Sequence, residues 1–174
     1  VIIETAKDNT NLEIHISTQM SLTNHESVNF WYNEGVKRVV LARELDKNEI
    51  NELRQHTKAD LEIFIHGGMC VSYSGRCTLS NNMTDRDANR GGCAHSCRWN
   101  YDLYEGDNKL NEDTSFSMSS KDLQTVKHIS DLIDIGVDSL KIEGRMKSIH
   151  YIATVVSTYR KLIDSICDQN ELDL

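Results

Sequence analysis

The chain has 174 residues, of which 39% are hydrophobic and 26% are charged. This composition is typical of a globular protein with one sizeable core, and no apolar run approaches the length of a membrane span. We therefore expect a single domain over residues 1–174 and no membrane partner. The net charge of −8 argues against a general nucleic-acid-binding surface, which is usually basic, although a local basic patch stays open.

Strand and helix patterns alternate along the first part of the chain. Apolar or alternating residues predict strands at 1–3, 12–18, 36–42 and 61–65, and the continuous apolar run at 36–42 predicts burial on both faces. Asn24 and Asp46 are typical N-cap residues, and each precedes a predicted helix. The fourth strand ends at His66-Gly67.

The same alternation returns after a long polar segment. Residues 101–113 predict a hairpin or exposed loop, and residues 116–118 predict a short strand. A helix is predicted from Ser119 or Ser120 to about Ile135, followed by a strand at 139–144. Ser148 then caps a last helix at 149–167, on which Cys167 is predicted to be a buried apolar thiol.

The order predicts an α/β fold of repeated strand–helix units that resembles part of a (β/α) barrel, with a cysteine-rich insertion at 66–113. In such folds the carboxyl ends of the strands carry the chemistry. The candidates at these ends for catalysis are Gln19, Arg43, Glu44, His66, Lys141 and Glu143.

Structural explanations stand beside these catalytic candidates. Gln19, Arg43 and Glu44 could pair among themselves. His66 could be a packed histidine, and Lys141 could form an ion pair with Glu143. Arg145 and Lys147, beyond the last strand, are predicted to bind a substrate carboxylate or an RNA phosphate.

Four of the five cysteines lie in the polar segment: Cys70, Cys77, Cys93 and Cys97. No export signal is visible, so we expect a reducing cytoplasm rather than disulfides. Zinc sites usually take two close cysteine pairs, and only one pair is close here. Four thiolates near glycine turns suit an iron–sulfur cluster, so the four cysteines are the predicted metal ligands, with zinc as the alternative.

Several stretches resemble a known protein family. Glu62-x-Phe64-x-x-Gly67-x-Met69-Cys70-x4-Gly75-x-Cys77-x-Leu79-Ser80 resembles the signature of the collagenase-like peptidases, named as peptidases of unknown catalytic type. NRGGCAHSCRW at 89–99 and SLKIEGRMKS at 139–148 look most like the branch of that family that forms 5-hydroxyuridine in tRNA with prephenate. One departure is Gly68, where the family usually has Ser or Ala.

The resemblance implies a barrel-like fold, an iron–sulfur cluster of the 4Fe–4S type, and tRNA and a prephenate-like molecule as partners. Two other functions remain open. A peptidase is implied by the family name, although the chain has no His-Glu-x-x-His or Gly-x-Ser-x-Gly motif, and neither Ser72 nor Ser74 has an evident base. The other open function is a non-catalytic binding module braced by zinc or by a cluster.

The family's members are considerably longer than this chain. Together with the apolar opening at 1–3, this indicates a piece of a longer protein. We expect the uncovered sheet edges of such a piece to pair, most simply in a homodimer.

Overall fold

The computed structural model describes residues 2–9, 11–113 and 115–172, which form an α/β fold with a largely parallel sheet. The helices are α1 (Ile2–Asn9), α2 (His25–Asn33), α3 (Lys47–Gln55), α4 (Leu79–Thr84), α5 (Ile129–Ile135) and α6 (Ile149–Leu172). The strands are β1 (His15–Ile16), β2 (Arg38–Val40), β3 (Asp60–Gly67), β4 (Tyr104–Glu105), β5 (Asn108–Lys109), β6 (Leu123–Gln124) and β7 (Ser139–Ile142). Within this part of the chain, no helix is long and apolar enough to cross a membrane.

The central strand of the sheet is β3. It pairs in parallel with β2 and with β7, and β1 extends the sheet in parallel beyond β2. β6 pairs antiparallel with the end of β3, opposite His66 and Gly67. β4 and β5 form a separate antiparallel hairpin, which confirms the hairpin predicted after the cysteines. Because β1, β2, β3 and β7 run in one direction, their carboxyl ends lie at the same edge of the sheet.

The hydrophobic core lies where the sheet meets the helices. Alternate residues of β3, from Leu61 to Ile65, are buried, and Ile129 of α5 and Tyr159 of α6 pack into the same core. The four successive residues 39–42 are all buried, which confirms the predicted burial on both faces there, although the strand predicted at 36–42 is shortened to Arg38–Val40.

Local hydrogen bonds explain where three helices begin. Asn24 Oδ1 accepts the backbone N–H three residues further on at 2.8 Å. Asp46 and Glu49 form a reciprocal capping box, and Ser148 Oγ accepts the N–H three residues on at 3.2 Å. The three N-caps predicted from the sequence are confirmed.

The predicted opening strand is wrong. Ile2 and Ile3 begin α1, with Glu4 in the first turn and Lys7 in the last, where each charge complements the helix dipole. Val1 lies outside the described residues. The strand predicted at 12–18 is shortened to β1, because a 3-10 turn begins at Thr18.

The helix predicted from Ser119 or Ser120 is wrong in its first half. Residues 123–124 form β6, a 3-10 turn follows, and α5 begins only at Ile129. The physical cause is tertiary: the backbone N–H and the hydroxyl of Thr125 both donate to the carbonyl of Ile65, at 3.2 and 2.9 Å. These bonds tie the segment to β3. The strand predicted at 116–118 is also wrong, since the structure places a single bridge between Tyr101 and Ser115 instead.

The cysteines show one local feature and one correction to the predictions. Cys93 and Cys97 do not share a helical turn, because His95 between them has a φ of 57° and only residues 96–98 form a 3-10 turn. Cys167 is exposed on α6 rather than buried. Periodicity placed Cys167 beside the apolar stripe of the last helix but could not show on which side of it the thiol lies.

Candidate functional site

A cavity of about 400 Å³ lies at the carboxyl ends of β1, β2, β3 and β7. The residues predicted at the strand ends that line it are Gln19, Arg43, Lys141, Glu143 and Arg145. The same cavity is lined by Cys70, Cys77, Cys93 and Cys97. The structure therefore brings the polar candidates and the four cysteines to one place, and their chemical roles remain predictions.

The cysteines are carried by two limbs of the segment between β3 and β4. The first limb, residues 68–77, leaves β3 and carries Cys70 and Cys77. The second limb, residues 93–98, carries Cys93 and Cys97. All four thiols are free.

Backbone N–H groups point at the sulfur atoms. The N–H of His95 donates to Cys93 Sγ at 3.3 Å within the second limb. The backbone of Val71, on the first limb, reaches Cys97 on the second and acts to lower the pKa of that thiol. Hydrogen bonds of this kind are one of the means by which proteins tune cluster-bound thiolates.

The other three sulfur atoms lie close enough to affect the ionisation of Cys70. Burial raises the pKa of the Cys70 thiol although this residue reaches solvent, and its neighbours Cys93, Cys97 and Cys77 raise it further. Burial and then Cys93 likewise raise the pKa of Cys97. Repulsion among thiolates is what a bound cation removes.

The donor set fits a cluster held by four cysteines. Four free thiols line one cavity, and N–H donors approach their sulfur atoms. In the described part of the chain, no three His, Cys, Asp or Glu side chains are already gathered around a single metal position. The thiols thus surround a shared space rather than meeting at one point.

Arg43 contacts the first limb at Cys70. Its guanidinium lies 3.8 Å from the centre of the Phe64 ring, and its Nη1 donates to Cys70 Sγ at 3.4 Å. Its buried Nε has no hydrogen-bond partner among the described residues. Arg43 therefore has a spare donor, and its charge opposes the upward shift in the pKa of Cys70.

Glu44 anchors the first limb to the end of β2. Its carboxylate accepts the backbone N–H of Ser74 at 2.7 Å and the Ser74 hydroxyl at 3.0 Å. The carbonyl of Ser74 accepts a hydrogen bond from the Ser21 hydroxyl. Glu44 thus pairs with Ser74, not with Arg43 or Gln19. Ser74 is only 3% exposed, so its hydroxyl is held as an anchor.

The predicted ion pair between Lys141 and Glu143 is wrong. Lys141 Nζ lies 2.8 Å from Glu62 Oε1 on the neighbouring strand β3. This contact helps to lower the pKa of Glu62 although burial acts in the opposite direction. Glu143 instead accepts the N–H of Gly68 at 3.3 Å and lies 3.6 Å from His95 Nε2.

Lys147 belongs to a network around Asp122. The carboxylate of Asp122 lies 2.6 Å from both Lys147 Nζ and Arg98 Nη1, and the Tyr151 hydroxyl donates to it at 3.3 Å. Burial alone would raise the pKa of Asp122, but the bond from Lys147 and the charge of Arg98 lower it. This network fastens the second limb to the base of α6.

His66 packs against α6. Its Nδ1 lies 3.2 Å from the Tyr159 hydroxyl, and its ring contacts both Tyr159 and Tyr151. Burial lowers its pKa. The packed-histidine alternative therefore describes the geometry of His66.

Arg145 has a free guanidinium at the cavity. Its side chain makes no hydrogen bond or ion pair with the rest of the described chain, and the space beside Gly91 separates it from the amide of Gln19. Both side chains are therefore placed to meet a polar ligand rather than each other.

Sequence reasoning missed Asn89. Its Oδ1 accepts the N–H of Cys77 at 3.2 Å, and its Nδ2 donates to the carbonyl of the same residue at 2.8 Å. The side chain thus pairs with the backbone of Cys77 as a strand would. The sequence feature that could have revealed Asn89 is its position at the start of the NRGGCAHSCRW run.

One protein family matches nearly the whole chain. The profile of peptidase family U32 matches residues 1–173. The chain belongs to peptidase family U32. No solved structure matches it.

Relatives in this family carry different functional names. The chain is 55% identical to "tRNA hydroxylation protein P1" of Bacillus subtilis, over 98% of this chain and 42% of that protein. It is 39% identical to "23S rRNA 5-hydroxycytidine C2501 synthase" of Escherichia coli, over 91% and 24%, respectively. It is 35% identical to "Collagenase" of Porphyromonas gingivalis, over 90% and 41%. The chain therefore spans well under half the length of these U32 relatives.

Proposed function

We propose that this chain is the cluster-binding part of an RNA hydroxylase. In this proposal Cys70, Cys77, Cys93 and Cys97 hold an iron–sulfur cluster, most simply 4Fe–4S. The observation that carries the proposal is that all four thiols line one cavity at the carboxyl ends of the parallel strands.

RNA as the substrate class is supported by the relatives. Proteins named for tRNA hydroxylation and for 5-hydroxycytidine formation in 23S rRNA match most of this chain. The finer proposal is hydroxylation of a tRNA uridine with a prephenate-like co-substrate, which rests on the resemblance of residues 89–99 and 139–148 to that branch.

A cluster ligated by all four cysteines would supply electrons at the cavity or hold the fold around it. The protein's own side chains would orient the reactants beside it. Arg43 and Arg145 offer donors to a carboxylate, Arg43 from its unpartnered Nε and Arg145 from its whole guanidinium. Gln19 adds an amide near Arg145 for a hydroxyl or carbonyl group. Lys147 is engaged with Asp122, so a substrate role for it would require that pair to open.

The test uses the full-length protein that carries this chain, in cells lacking their own enzyme. Mass spectrometry of tRNA nucleosides should detect 5-hydroxyuridine with the unmodified protein and with Cys167→Ser. Cys93→Ser and Cys97→Ser should abolish it. Full hydroxylation by these two variants would refute the cluster assignment, and no hydroxylation of any RNA by the unmodified protein would refute the substrate class.

A peptidase is the second candidate, because one relative is named collagenase and Ser74 donates to a carboxylate. Ser74 is buried, and Glu44 also accepts its backbone N–H, which fits an anchor better than a nucleophile. Cleavage of gelatin or casein that stops in Ser74→Ala, with the fold retained, would favour the peptidase. A colourless protein with one zinc would favour a non-catalytic, zinc-braced module.

The architecture of the whole protein is also a proposal. We infer that the strand–helix units form part of a (β/α) barrel, that residues 66–113 are a cysteine-rich insertion within it, and that the protein works in the cytoplasm. β7 has one parallel partner, β3, among the described strands, and the α6 residues Ile149 and Val156 are 77% and 45% exposed. A homodimer of this chain would cover such surfaces. A monomer at micromolar concentration in light scattering would rule the homodimer out.

A further inference from the structure

Glu143 contacts both limbs of the cysteine-bearing segment, and we propose that it is the positioning residue that holds the two limbs together. It directly follows β7, and its N–H donates to the carbonyl of His66 at 2.9 Å, which fixes its backbone to the sheet. Its side chain is only 12% exposed. The carboxylate is therefore held in one place instead of moving freely in solvent.

Each carboxylate oxygen of Glu143 serves a different contact. Oε2 accepts the backbone N–H of Gly68, the first residue of the first limb, at 3.3 Å. Oε1 lies 3.6 Å from Nε2 of His95, in the middle of the second limb, and accepts the N–H of Arg145 at 3.0 Å. One side chain thus joins both limbs to the end of β7.

The two contacts of Glu143 can affect the thiols because both lie close to the cysteines in the sequence. Gly68 stands two residues before Cys70, and His95 stands midway between Cys93 and Cys97. A carboxylate that fixes both points also fixes the distance between the two groups of thiols. The hydrogen bond from Gly68 to this carboxylate is charge-assisted, which is the stronger class, and the close contact of the same carboxylate with His95 adds the second limb.

Close packing supports the same assignment independently. A Cβ at Gly68 would lie 3.2 Å from Glu143 Oε2 and 3.2 Å from His95 Cε1. A Cβ at Gly67 would lie 2.4 Å from the carbonyl oxygen of Glu143. The first limb therefore leaves β3 packed against Glu143 and His95 at once.

Hydrogen exchange of the metal-free protein tests the assignment. In Glu143→Ala, the amide of Gly68 and the amides of residues 95–98 should exchange about tenfold faster or more, the change expected when a hydrogen bond to a charged group is lost. The amides of residues 61–65 in β3 should keep their protection. Glu62→Ala is the matched control, because Glu62 is also a carboxylate in an ion pair on this sheet but bonds Lys141 and Ser139. The control should leave both limbs unchanged.

Cysteine alkylation of the same metal-free proteins supplies a second readout. All four limb thiols should react faster in Glu143→Ala, and Glu143→Gln, whose amide oxygen still accepts one hydrogen bond, should recover part of the protection. A double-mutant cycle with His95→Ala should be non-additive, since both residues act through one contact. Faster exchange in one limb only, additive effects, or no change in either readout would overturn the assignment.

The consequence for the cluster rests on the proposed function and is measured separately. After anaerobic reconstitution, Glu143→Ala should hold less iron and sulfide than Glu62→Ala and lose it faster to a chelator. If neither the unmodified protein nor any variant binds iron, the cluster proposal fails, while the exchange results still decide the role of Glu143.

Discussion

Replacing Gly75 with alanine should push the first limb away from the 3-10 turn that contains Gln19. Gly75 has a φ of 73°, and a Cβ placed there would lie 2.0 Å from the carbonyl oxygen of Gln19. Because ordinary contact distances are about 3.5 Å or more, the limb must move by about 1.5 Å. The neighbouring Ser74 must then move as well, although it is held by Glu44 and Ser21.

The size of the effect follows from these contacts. The left-handed backbone conformation costs an alanine about 1 kcal/mol. Loss of the two hydrogen bonds from Ser74 to the Glu44 carboxylate would cost about 1.5 kcal/mol or more each. The free energy of unfolding should therefore fall by about 4 kcal/mol, a large part of the roughly 5–15 kcal/mol typical of a domain.

Thermal unfolding followed by circular dichroism measures this loss, with Gly106→Ala as the matched control. Gly106 also has a positive φ, 60°, but no atom lies within 4 Å of its added Cβ. We expect Gly75→Ala to lower Tm by about 8–16 °C and Gly106→Ala to lower it by about 2–4 °C. Equal decreases in the two variants would show that the first limb does not pack on Gln19 as described.

The remaining predictions concern α6 and its surroundings. Tyr159→Phe should lower the free energy of unfolding by about 1 kcal/mol, because the N–H of Thr125 and the carbonyl of Ile65 each lose one partner but still bond each other; denaturant unfolding without such a loss would contradict this. Folding lowers the pKa of Asp122, so its network should contribute stability above about pH 4 that is lost as the pH falls through the lower folded-state pKa. The stability difference between the unmodified protein and Asp122→Asn should accordingly shrink in acid, and a constant difference would contradict the network. Cys167→Ser should leave the iron content unchanged whereas Cys97→Ser should lower it sharply, and equal losses would mean that the ligand set is wrong.

Features set by local sequence were predictable. Asn24, Asp46 and Ser148 cap their helices through bonds to residues two or three positions away, and the buried run at 39–42 needs no distant information. Gathering the four cysteines at the strand ends was also predictable, because parallel strands place their carboxyl ends together.

Contacts between distant segments were not predictable from one sequence. Residues 119–128 have helical spacing, but Thr125 bonds to β3 and prevents the helix. Lys141 and Glu143 alternate with apolar residues, which suggested that both side chains lie on one face of the sheet and pair. Lys141 instead contacts Glu62 on the neighbouring strand β3. The positive φ of His95, which separates Cys93 from Cys97, likewise depends on packing that no local pattern encodes.

Iron and acid-labile sulfide analysis after strictly anaerobic purification tests the central claim most directly. The account predicts a coloured protein with about four irons and about four sulfides per chain, and loss of both when Cys70, Cys77, Cys93 or Cys97 is changed to serine. A colourless protein with one zinc per chain, or iron that persists in all four serine variants, would contradict it.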